Sequence, residues 1–137
     1  MRHEPPPLLC VPPDRIDEFW PLAEPLIRSG YDAVDEFMPD DMPGWLKAGK
    51  GLLWLCVRSG HVVAAMTTSL EPKPSGLCCR MVACGGTELE YWKACEDRIV
   101  RYARDEDCAS VRVTGRPGWG RALPGYKIMQ VDLEKAL

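Results

Sequence analysis

The stretch GLCCRMVACGGTELEYWKACEDRIVRYARDEDCASVRVTGRPGWGRALPGY, residues 76–126, decides the fold. Leu77 to Ala83 is an apolar run of strand length, ended by the Gly85-Gly86 pair. After it the period changes. Thr87 with Glu90 three residues on has the form of a capping box, which satisfies helix N–H groups that have no partner within the helix. Leu89, Trp92, Cys95, Ile99 and Ala103 then fall on one face of a helix that buries that face. Ser110 to Val113 returns to strand character, and Gly115-Arg116-Pro117-Gly118-Trp119 closes the unit. A strand, a glycine turn, a helix and a second strand place the two strands parallel in one sheet.

Working back toward the N-terminus, Leu52–Arg58 and Val62–Leu70 form two strands joined by Ser59-Gly60, a tight hairpin signal. Glu71 to Gly76, with Pro72 and Pro74, reads as a loop. Leu8 to Val11 is a short first strand stopped by Pro12-Pro13. Asp14 caps a helix carrying Ile16, Phe19, Trp20, Ala23, Leu26 and Ile27 at helical spacing. Pro21 and Pro25 each remove a backbone donor from it, so a kink or two short pieces ending at Gly30 are expected. Asp32 to Met38 looks helical again, 39–44 is a turn cluster, and Trp45 to Ala48 allows another helical turn. Beyond Trp119 one helical turn to Leu123 and a last strand from Lys127 to Leu133 complete the order. The fold class is therefore α+β in three layers: a mixed, mostly antiparallel sheet with flanking helices, splaying where its one parallel pair diverges. Residues 1–7 are a proline-rich arm of polyproline II character, and residues 8–137 are one domain.

Composition narrows the function classes. The chain has 137 residues, 46% hydrophobic and 27% charged, the balance of a globular protein. A net charge of −3 gives no electrostatic footprint for nucleic acid or anionic lipid. The longest apolar run, Leu52 to Val57, is far below the ~20 residues of a membrane span. Seven cysteines with no Cys-x-x-Cys pair and no signal peptide point to free thiols in a reducing compartment, the cytoplasm first. His3 and His61 stand apart from any ligand pattern, and no metal site is expected.

The order β-α-α-β-β-β-α-β-α-β resembles the GNAT acyltransferase superfamily over most of the chain, from Leu8 to Leu133. The hairpin 52–70, the strand and helix 80–103, and Gly125-Tyr126 where that family often has Gly-Phe carry the likeness. The ending Val113 to Leu123 is more narrowly similar to small GNAT-like proteins of bacteriophages. The resemblance implies an acetyl-CoA pyrophosphate held by backbone amides of an Arg/Gln-x-x-Gly-x-Gly/Ala loop at the helix N-terminus. That assigns Gly85, Gly86 and Thr87 to the cofactor, if acetyl-CoA binds. The stretch 83–87 is too short for the pattern, however, and Glu88 and Glu90 would each repel an anion there by ~1 kcal/mol. No bound cofactor is therefore expected, with acetyl-CoA as the alternative.

In that family a tyrosine just before Gly-Phe often serves as the acid; here Arg121, Ala122 and Leu123 occupy those places. Tyr126, read first as a core aromatic, and Glu71, at the edge of the strands, are the remaining catalytic candidates. Arg112, Arg116 and Arg121 gather around Trp119, and Trp45 stands in a Pro-Gly-Trp turn. Trp45, Arg116, Trp119 and Arg121 are the candidate contacts to a protein partner. Two functions follow: a non-catalytic GNAT-fold interaction or assembly protein, for which the resemblance of the ending implies a phage particle, or an acetyl-CoA-dependent N-acetyltransferase with a divergent loop.

Overall fold

The computed structural model describes residues 8–34, 38–82, 89–114, 125–127 and 133–137, leaving aside the side chains of 32–34, 82 and 89–94. Strand β1 (Leu8–Val11) leads through a single 3-10 turn (Pro13–Arg15) into helix α1 (Ile16–Val34) and a short helix α2 (Met42–Lys47). Strands β2 (Leu52–Arg58), β3 (His61–Lys73) and β4 (Gly76–Val82) follow, then helix α3 (Leu89–Asp105) and strand β5 (Ser110–Thr114). The five strands lie in sequence order in one sheet. Every pair is antiparallel except β4–β5, which is parallel from Cys78↔Ser110 to Val82↔Thr114. Over the described residues the parallel pair stays in register. The cap at Thr87, the helical turn at 119–123 and the burial of Trp92 lie outside the described residues, as does the strand expected from Lys127 to Leu133 apart from those two end residues, which are not in a strand.

The β2–β3 turn is the two-residue one expected. Ser59 and Gly60 both have positive φ, 50° and 77°, the backbone twist that matches right-twisted strands. The second hairpin departs from expectation. Glu71, Pro72 and Lys73 continue β3 and pair with Cys78, Leu77 and Gly76, so only Pro74-Ser75 turns. Pro72 can be accommodated here because a strand residue bonds only one neighbour at each position, so one side can spare its donor.

Helix α1 also differs from its expectation. It runs unbroken through Pro21 and Pro25, and the segment after Gly30 continues it to Val34. The two prolines are four residues apart and both exposed. The missing N–H groups and the carbonyls they would have met lie on the solvent side, where water replaces the bond. Asp14 sits inside the 3-10 turn rather than capping α1, and its neighbour Arg15 pairs with Glu18 at 2.9 Å.

Alternation along the strands divides the core in two. On one face Val11, Leu53, Leu55 and Ala65 pack under α1 and α2 through Ile16, Ala23, Ile27, Tyr31, Met42 and Leu46. On the other, Trp54, Cys56, Met66, Cys79 and Met81 meet Cys95, Ile99 and Ala103 of α3, spaced four residues apart along one stripe. Each fully buried aliphatic side chain contributes roughly 1.5–3 kcal/mol.

Candidate functional site

The described polar chemistry of the sheet collects at the β3–β4–β5 end. Because Cys79 and Met81 turn toward α3, Arg80 between them projects from the opposite face. Its Nε donates to Glu71 Oε2 at 3.0 Å, and its Nη1 donates to Thr114 Oγ1 at 2.9 Å. Lys73 Nζ approaches the same Glu71 oxygen at 3.3 Å. Strands β3 and β4 thus meet at one carboxylate, and β5 joins them through Arg80. Burial alone would raise the Glu71 carboxyl, but hydrogen bonds and charge from Arg80 and Lys73 outweigh it and hold it below the ordinary range. A group in that state remains ionised and occupied, the opposite of a base poised near neutrality.

Tyr126 lies half-buried against the α3-side core, and its hydroxyl donates to Glu96 Oε1 of α3 at 2.8 Å. Burial first, then the hydrogen bond and charge of Glu96, push the phenol upward. It is a committed donor and a weaker acid than a free tyrosine. The central hydroxyls are used as well: Thr68 Oγ1 accepts from Trp54 Nε1 at 2.9 Å, and Thr67 lies 3.5 Å from the Tyr31 hydroxyl.

Trp45 belongs to α2, whose N-terminus is capped by Asp41 accepting from the Gly44 N–H at 3.0 Å. Its indole lies over Gly51 and packs on the α1-side core, half-buried rather than free-standing. Met42 and Leu46 on the same turn are fully buried. Gly85, Gly86, Thr87, Arg116, Trp119 and Arg121 fall outside the described residues. Of the site candidates, then, Glu71, Tyr126 and Trp45 are placed, and they do not form one cluster. The partners Arg80, Lys73, Thr114 and Glu96 were missed from sequence. Only the alternation of apolar and charged residues at 79–81 signalled one of them.

The thiols behave as core atoms. Cys56, Cys78, Cys79 and Cys95 are buried, while Cys10 is exposed. Burial, helped by neighbouring thiols, pushes Cys79 up to about 12, so it is not a nucleophile at neutral pH. Among the described residues no group of three or more His, Cys, Asp or Glu is placed to hold a metal ion. Nor is any described helix long and apolar enough to cross a membrane.

Neither a protein-family model nor a curated protein sequence matches the chain. Solved structures do. A probable acetyltransferase superposes with a TM-score of 0.68 over 96% of both chains at 9% identity. A predicted acetyltransferase with acetyl-CoA from Clostridium acetobutylicum gives 0.63 over 95% of each chain at 13% identity. A GNAT family acetyltransferase of Staphylococcus aureus gives 0.64 at 12% identity, over 98% of this chain and all of that one, 100%. At such identities the likeness is one of architecture, and it extends from end to end: the chain has the fold of the GNAT acetyltransferases.

Proposed function

We propose that this protein is a GNAT-fold interaction or assembly protein that does not turn over acyl-CoA. One observation carries the reading. The two titratable side chains nominated for catalysis are both engaged elsewhere, Glu71 with Arg80 and Lys73, and Tyr126 with Glu96. The sequence between β4 and α3 supports the same view. In Ala83-Cys84-Gly85-Gly86-Thr87-Glu88, setting either glycine at the first Gly of the Arg/Gln-x-x-Gly-x-Gly/Ala pattern fails. Val82 or Ala83 then stands where Arg or Gln belongs, and Thr87 or Glu88 where the small residue belongs. The resemblance of residues 113–123 to phage proteins makes a bacteriophage particle the favoured assembly.

A second reading keeps the enzyme: an N-acetyltransferase taking acetyl-CoA at Gly85, Gly86 and Thr87. It is favoured by a neighbour of the same fold determined with acetyl-CoA. Calorimetric and thermal-shift titrations with acetyl-CoA separate the two. A ligand at a hundred times its Kd stabilises by about 2.7 kcal/mol, an easily measured shift. The assembly reading expects no heat and an unchanged midpoint at millimolar acetyl-CoA. A saturable shift, with acetyl transfer to an amine, establishes the enzyme instead.

A further inference from the structure

Helix α3 packs on one face of the sheet, and on the other α1 packs principally on β3; at the β4–β5 end of that second face Cys78 is fully buried, while Arg80, Arg112, Ser69 and Ser110 are each partly exposed. On this second face the parallel register sets Arg80 of β4 directly beside Arg112 of β5. Val111 and Val113, flanking Arg112, turn to the α3-side core, so both arginines project from the same side. Neighbouring strands lie about 4.8 Å apart, and like charges directly opposite are destabilising. One carboxylate, Glu71, offsets part of that, already shared between Arg80 and Lys73. Counting Arg80, Arg112 and Lys73 against Glu71 gives 3 − 1 = +2, on a chain whose net charge is −3. Among the described residues Arg112 has no ion pair or hydrogen bond. Arg80 uses Nε and Nη1, which leaves its Nη2 available. The hydroxyls of Ser69, opposite Arg80, and Ser110, two residues before Arg112, share this face.

We propose that Arg112, with the Nη2 edge of Arg80, binds a carboxylate on this face of the sheet. A guanidinium fork matches a planar carboxylate through two parallel hydrogen bonds. The carboxylate comes either from a free carboxylic acid or from an Asp or Glu side chain of a partner. The site rests on strand register, so it stands whether or not the protein is an acyltransferase.

Titration of succinate and of a short glutamate-rich peptide into the full chain at low ionic strength tests this, with sodium chloride of equal ionic strength as control. Binding above the chloride control is expected, and Arg112→Gln weakens it about tenfold, as for loss of one charge-assisted pair. Glu71→Gln strengthens it. Tighter binding of the peptide assigns the carboxylate to a partner chain, and equal or tighter binding of succinate assigns it to a free acid. In the unmutated protein the Arg80 and Arg112 side-chain N–H resonances shift with succinate, a readout that survives any folding defect in the variant. No binding above the control, unchanged binding by Arg112→Gln, unshifted resonances, or equally tight inorganic phosphate would each overturn the assignment.

Discussion

A carboxylate that gains cationic neighbours on folding binds its proton less tightly than in the unfolded chain, and Glu71 meets that condition between Arg80 and Lys73. Its folded pKa lies below its unfolded value. The stabilisation is therefore present above the unfolded carboxylate range, near 4.3, and is lost as pH falls through the folded pKa. A thermal midpoint measured from neutral pH down to about pH 3 should drop more steeply in the native protein than in Glu71→Gln. Parallel curves would mean that the ion pair contributes nothing, the common fate of exposed pairs. Tyr126 makes a different case. Removing its hydroxyl leaves Glu96, itself only half-buried, able to recover water. Tyr126→Phe should thus cost about 1 kcal/mol, read from denaturant midpoints. A much larger loss would show Glu96 stranded without solvent.

At the scale of elements, the packing of α2 on the sheet depends on Gly51. A methyl group there would meet the Trp45 indole and come within 2.9 Å of the Thr68 carbonyl. Backbone cannot yield as a side-chain tip can, so Gly51→Ala should destabilise by roughly 1–3 kcal/mol. A neutral result in chemical denaturation would show that the indole swings free of the sheet. Helix α1 yields the opposite sign. Restoring a backbone donor at Pro21 recovers a helical bond, against a smaller gain in unfolded-chain entropy, so Pro21→Ala should stabilise by about 1–2 kcal/mol. Sequence shows that a proline removes a donor, but not that Pro21 and Pro25 share a solvated face where water makes good the loss. The hairpin at Ser59-Gly60 and the Cys95, Ile99, Ala103 stripe were legible because their physics is local: a turn demanding positive φ and a helical period. The Glu71–Arg80–Thr114 contacts were not, since they join residues 9 and 34 apart through strand register. Periodicity says which residues share a face, but not which stand beside one another.

For the whole molecule, the question is which parts hold the domain together and which serve something outside it. The sheet begins at Leu8, paired with Cys56, and Val11 is the first residue of β1 in the core. Leu9, between them, is 46% exposed, so the edge of the sheet nearest the proline-rich segment presents apolar surface outward. Prolines add rigid apolar area to a contact at little entropic cost, which suits them to an interface. Deleting residues 2–7 leaves the whole β1–β2 register intact. The thermal midpoint should then move by less than about 2 °C, whereas loss of 1 kcal/mol from a domain of this size shifts it by about 4 °C. Under the assembly reading, the same deletion should lower the assembled fraction seen by sedimentation velocity. A truncated protein that unfolds several degrees earlier and assembles as before would place residues 2–7 within the domain. The apolar edge at Leu9 would then be closed from inside the chain, and no partner would be needed to cover it.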